Sequence, residues 1–156
     1  MNKLLALLLS TCWLITGCET KKQDAPRPLV PGDKNIIRYQ VNGQDLTQTA
    51  RVSYQPAALP TRSYDLLLIE AGDSARASAG TYVQVALLKG AGQPESAYGV
   101  VAIRYLDSAN NLTWGINLQS TSTRSSSGWS GSFAGTTTDQ FGNPKATIMG
   151  AFSNVL

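Results

Sequence analysis

Beyond its first 34 residues the chain offers the carboxylates Asp45, Asp65, Glu70, Asp73, Glu95, Asp107 and Asp139 for acid–base chemistry, and no histidine at all. Without histidine the commonest general base, the Ser-His-Asp and Cys-His nucleophile systems and the usual zinc ligands are absent. Catalysis would rest on carboxylates, lysine or tyrosine. A glycoside-hydrolysing pair needs two carboxyls facing each other roughly 5 to 9.5 Å apart. The spacing nominates none; Glu70 and Asp73, at a strand end, come nearest. Asp107 to Asn111 ("DSANN") and Asp139 with Asn143 offer oxygens for calcium, but lack the alternating ligands and terminal Glu of a loop site, and read as turns. No catalytic residue, metal ligand or cofactor is assigned. The aromatics Tyr54, Tyr64, Tyr82, Tyr98, Tyr105, Trp114 and Trp129 read first as core. Trp129, opening a glycine-rich strand beside a polar loop, is expected to face outward, and Trp129 with Trp114 is the candidate ligand platform.

One further reactive group stands at a border. "ITGC", Ile15 to Cys18, closes an apolar run, "LLALLLSTCWLI" (Leu4 to Ile15), behind a short positive start with Lys3. A dozen apolar residues suit the central region of a signal peptide and fall short of the about 20 that a membrane-spanning helix needs. Aliphatic Ile15, small Thr16 and Gly17, then Cys18, resemble the lipobox of bacterial lipoproteins. That resemblance implies cleavage between Gly17 and Cys18 and acylation (diacylglycerol, palmitate) of Cys18, so that residues 1–17 are a leader. Each buried methylene contributes about 0.8 kcal/mol, and two or three chains hold durably where one does not. Cys12, inside the apolar run, leaves with the leader, so the mature fold has neither disulfide nor thiol chemistry. The alternative is an uncleaved anchor.

Residues 18–34 carry the lipidated cysteine and a tether whose Pro26, Pro28 and Pro31 favour extended backbone. Glu19 stands where an aspartate would resemble an inner-membrane retention signal, which places the expected anchor at the outer membrane, facing the periplasm or the cell surface. Residues 35–156 suffice for one domain with a real core. Thirteen basic residues face ten acidic ones, and no basic cluster marks a nucleic-acid partner.

The elements that must position these groups are strands. "IIRYQV" alternates and ends on Asn42-Gly43, a strong hairpin signal. "QDLTQTARVSY" returns, with a bulge expected near Thr47 to Ala50. "SYDLLLIEA", "TYVQVALL" and "AYGVVAIRYL" read as strands, with Ala75 to Ala79 open to one helical turn. "LTWGINLQ" is expected to put Leu112, Trp114, Ile116 and Leu118 on one face, and "STSTRSSS" (Ser120 to Ser127) reads as a polar loop. In the last hairpin Trp129, Gly131, Phe133 and Gly135 share a face, as do Ala146, Ile148, Gly150 and Phe152, so that facing aromatics and glycines bring the strands close. About eight strands and no amphipathic helix predict an all-β, antiparallel β-sandwich, with a small closed β-barrel as the alternative.

The order of lipobox, tether, "YQVNGQDL", "GTYVQ" and the closing "SGSFAGTTTDQFGNPKATIMGAFSNV" resembles small Bacteroidota lipoproteins carrying all-β domains of unknown function. The resemblance implies an envelope location and a β fold, and no reaction. The expected function is a non-catalytic binding or scaffolding module whose partner is a glycan or an envelope protein. A carboxylate-based envelope hydrolase and a structural or adhesive surface protein are the alternatives.

Overall fold

The computed structural model describes residues 33–72, 81–107 and 111–156. The leader, Cys18, most of the tether, Asp73 and the Ala75 to Ala79 segment lie outside the described residues. Among the described residues eight strands follow one another: β1 (Ile36–Val41), β2 (Gln44–Gln55), β3 (Tyr64–Ala71), β4 (Tyr82–Gly90), β5 (Gly99–Leu106), β6 (Leu112–Ser125), β7 (Gly128–Thr138) and β8 (Pro144–Val155). Each pairs antiparallel with the next, and β8 pairs antiparallel with β1, which closes a barrel.

The all-β class and the eight antiparallel strands are as expected, and of the two architectures the molecule adopts the closed barrel rather than the sandwich. The reason is the seam. Tyr39 pairs with Leu46 on one side and with Gly150 on the other, so β1 has no free edge. Alternation along a strand reports one buried face, and both architectures bury one face of every strand.

Closure depends on the Phe and Gly residues of the last hairpin. The β7–β8 register sets Phe133 opposite Gly150 and Gly131 opposite Phe152. Each ring lies where the facing glycine would carry a Cβ, at 2.7 Å from that position in both cases. Those rings join Ile37, Tyr39, Leu67, Ile69, Val85 and Ile148 in one interior core. An eight-stranded barrel is just wide enough for its own side chains to fill. Outward positions on β2 and β7, such as Thr47, Thr49 and Ser132, are exposed and polar. A membrane-spanning barrel has the reverse arrangement.

Two sequence expectations change for local reasons. β2 has no bulge near Thr47 to Ala50; it passes there from pairing β1 to pairing β3. The pairing is irregular elsewhere, within β4–β5, β7–β8 and, on β6, between Ile116 and Gln119, where Asn117 takes φ 53°. This bulge breaks the strict alternation. Leu118 turns into the core, against the bare backbone of Gly115 and Gly135, while Trp114 and Ile116 stay outside. The "STSTRSSS" segment is strand rather than loop: β6 runs to Ser125 and only Ser126 and Ser127 turn. Small serines suit its inward positions, and the Ser120 hydroxyl accepts the Val100 N–H at 2.9 Å.

The meander gives the barrel two distinct ends. The entry end holds Asp33, the chain terminus at Leu156, and the β2–β3, β4–β5 and β6–β7 connections. The mouth end holds the β1–β2, β3–β4, β5–β6 and β7–β8 connections.

Candidate functional site

Two loops at the mouth end share one design. Asp107 and Asn111 bracket the β5–β6 connection, and Asp139 and Asn143 bracket the β7–β8 connection, each as Asp-x-x-x-Asn. In both, the aspartate Oδ1 accepts the backbone N–H of the asparagine, at 2.8 and 3.0 Å. In both, the asparagine Nδ2 donates back to the carboxylate. The aspartate N–H then donates to the asparagine carbonyl, at 3.3 and 3.1 Å. Each carboxylate thus closes its own loop, as short Asx side chains do in turns. The oxygens considered for calcium are engaged in these clasps. Among the described residues no three carboxylate, cysteine or histidine groups are placed to share a metal ion.

Between the clasped loops and the Asn42-Gly43 hairpin opens a cavity of about 940 Å³. Tyr105, Thr113 and Thr137, all buried, line its inner part, and Trp114, Phe141 and Lys145 line its rim. Trp114 is 39% exposed and Phe141 80%. The Asn42-Gly43 turn has φ 51° and 81°, as its sequence demands, and Asn42 Oδ1 accepts the Thr147 N–H across the seam. Inside the barrel, Tyr39 meets the Tyr105 ring edge to face at 6.5 Å. Its hydroxyl lies 2.9 Å from that of Thr81 and donates to Gln48 Oε1. Burial pushes the Tyr39 hydroxyl up to about 12.

The carboxylates sort by partner. Partial desolvation raises the Asp139 carboxyl, but hydrogen bonds from Asn143, from Lys145 at 3.0 Å and from two backbone N–H groups outweigh it and hold the group well below the usual range. Glu70 follows the same logic on the outside of the barrel. Desolvation raises it, while the Tyr82 hydroxyl at 2.6 Å, Gln84 and Arg51 lower it further. Asp65, at the entry end, is lowered by Lys89 at 2.5 Å and by the Ala57 N–H. Asp107 and Asp139 both line the mouth cavity. Asp73, the expected companion of Glu70, lies outside the described residues.

Of the two candidate tryptophans, Trp114 lines the cavity and Trp129 does not. Trp129 is 5% exposed, which corrects the expectation that it faces outward. It shares the inward face of β7 with Phe133 and meets Tyr98 edge to face at 5.2 Å, towards the entry end. Phe141 sits in a turn, where no alternation marks it in the sequence. The signal that could have found the site is the repeated Asp-x-x-x-Asn spacing.

The fold and site together define a closed, eight-stranded meander barrel with an aromatic-rimmed cavity at one end. Compared with protein-family models, curated proteins and solved structures, the chain finds no match.

Proposed function

We propose that this protein is a lipid-anchored binding module of the cell envelope, held by acyl chains on Cys18, that binds a small saccharide-like ligand at the barrel mouth. The observation that carries the binding reading is the cavity of about 940 Å³ with Trp114 and Phe141 exposed at its rim. Its volume is in the range of small-molecule sites. Exposed aromatic faces stack on the apolar faces of sugars, and Asn42, Gln44, Gln140 and Lys145 supply donors and acceptors for hydroxyl groups. The lipobox sequence supports the anchor, the Bacteroidota-like order of motifs supports an envelope location, and Glu19 after the cysteine supports the outer membrane.

A carboxylate-based hydrolase at the same cavity is the second reading, favoured by Asp107 and Asp139 lining one concave surface. Each of these carboxylates is tied into its own loop by an asparagine, Asp107 by Asn111 and Asp139 by Asn143, which favours binding over hydrolysis. Two experiments test the proposal. Feeding cells an alkyne fatty acid should label the wild type and leave Cys18→Ala unlabelled and unpelleted with membranes; a labelled Cys18→Ala refutes the anchor. Titrating purified protein with an oligosaccharide panel should quench and shift tryptophan emission; a product peak by chromatography would favour the hydrolase, and no response to any sugar refutes the saccharide reading.

A further inference from the structure

The entry end carries four large, solvent-exposed apolar side chains. Leu59 is 72% exposed, Leu156 69%, Tyr54 47% and Tyr64 41%. Scattered single apolar residues are ordinary on a surface. These four lie at the entry-end limits of β2, β3 and β8 and in the β2–β3 connection, and the loop that presents Leu59 is braced.

The brace runs through the β2–β3 connection. Ala58 and Arg62 exchange both backbone hydrogen bonds across the tip, at 3.0 and 2.8 Å. The Thr61 hydroxyl donates to the Ala58 carbonyl at 2.6 Å. Arg62 donates to Gln55 Oε1 at 2.9 Å and to the Pro56 carbonyl, and its guanidinium lies 6.0 Å from the Tyr64 ring centre. The Ala57 N–H donates to Asp65, whose other oxygen receives Lys89, and Lys89 also donates to the Gln93 carbonyl of the β4–β5 connection. A buried ion pair therefore holds two entry-end loops in fixed relation. Ordering a loop around a solvent-facing leucine sets conformational entropy against stability, and a preordered apolar tip recovers that cost when it meets an apolar phase.

The position of the rest of the chain says which phase. Residues 1–32 join the barrel at this end. The Asp33 carbonyl accepts from Asn154 at 2.8 Å, and the Asn35 side chain accepts the Leu156 N–H at 2.9 Å. The apolar C-terminal residue is thus pinned beside the point where the tether enters. With lipid on Cys18, the link to the bilayer enters the barrel at this end. Tyrosine rings, aliphatic tips and an arginine are the residues that settle at a membrane–water interface.

We infer that the entry end is a membrane-seating face: Leu59 inserts at the interface of the anchoring bilayer, Tyr54, Tyr64 and Leu156 flank it, and the mouth cavity points away from the membrane. This inference rests on the Cys18 anchor of the proposed function. Its test uses full-length acylated protein in phosphatidylethanolamine–phosphatidylglycerol vesicles, with an environment-sensitive fluorophore on Leu59→Cys or, at the opposite end, on Phe141→Cys. Both sites are exposed, so neither change threatens folding. Brominated lipid is expected to quench the Leu59→Cys probe strongly and the Phe141→Cys probe hardly at all. Protein that floats with the vesicles while both probes stay equally water-exposed overturns the inference and leaves the anchor standing. Protein that neither floats nor carries acyl mass on Cys18 overturns the anchor and the inference with it. A Leu59→Cys probe already shielded without vesicles, in proportion to protein concentration, assigns the face to a second copy of the chain instead.

Discussion

Gly150→Ala probes the seam that makes this molecule a barrel. A Cβ at Gly150 would lie 2.6 Å from the Arg38 carbonyl oxygen, 2.6 Å from Tyr39 Cβ and 2.7 Å from Phe133 Cζ, all under the 3.0 Å that real Cβ atoms respect. Only the phenylalanine can swing aside. The other two belong to β1 backbone and its first side-chain atom, so relief requires β1 and β8 to part. Overpacking a core of this kind costs about 1–3 kcal/mol, and the two fixed contacts put Gly150→Ala near the top, about 2–3 kcal/mol. For a domain of about 120 residues each kcal/mol moves Tm by about 3–6 °C, so the expected fall is about 6–18 °C. The assay is a circular-dichroism melt with a urea midpoint at unchanged slope. Gly43→Ala is the control: its φ is 81° and no atom lies within 4 Å of the new carbon, so it carries only the left-handed backbone penalty of about 1–2 kcal/mol. A Gly150→Ala protein melting within about 2 °C of wild type would refute the reasoning, because β1 and β8 could not then be packed through Tyr39 and Gly150.

Further outcomes follow from the site and the charges. Trp114→Ala should weaken sugar binding about tenfold or more, read by calorimetry, with little change in Tm because the ring is partly exposed. Asn143→Ala removes the Nδ2 clasp on Asp139 and should speed hydrogen exchange at Phe141 and Asn143 while sparing the exchange of β4. On acidification, Asp65, Glu70 and Asp139, all lowered by their partners, contribute stability that is present above the unfolded carboxyl values near pH 4 and lost as pH falls through the lower folded-state values; urea midpoints that do not decline on acidification would contradict this. In alkali, Tyr39 and Tyr82 are raised from 10.0 to about 12. The unfolded chain loses those protons first, so stability should fall as pH rises from about 10 toward 12, with tyrosinate absorbance reporting the step.

Strand content was legible because alternation and turn chemistry act locally. Asn42-Gly43 specified its hairpin, and Ile37, Tyr39 and Val41 their shared face. Closure was not legible, because whether β8 meets β1 is decided between residues more than a hundred positions apart, such as Tyr39 and Gly150. The glycines of β7 and β8 announced close approach without naming the third strand they approach. Trp129 misled because a polar segment before it read as loop; serines that line an inward strand face look like those of a solvent loop. Leu118 misled because one left-handed residue, Asn117, reverses every side chain beyond it. The mouth was half legible: Asp107, Asn111, Asp139 and Asn143 were noticed for their oxygens, but their equal spacing shows a matched pair of loop clasps only once the barrel sets the two loops beside one cavity.

Saccharide binding at the mouth cavity is best read from backbone amide shifts of the ¹⁵N-labelled protein titrated with oligosaccharide fractions from cell envelopes. Shifts are expected to gather at Asn42 to Gln44, at Asp107 and Asn111 to Trp114, and at Asp139 to Lys145, and to need about tenfold or more ligand in Trp114→Ala. Shifts gathered at the entry end around Leu59, or none at any concentration of any fraction, would contradict it.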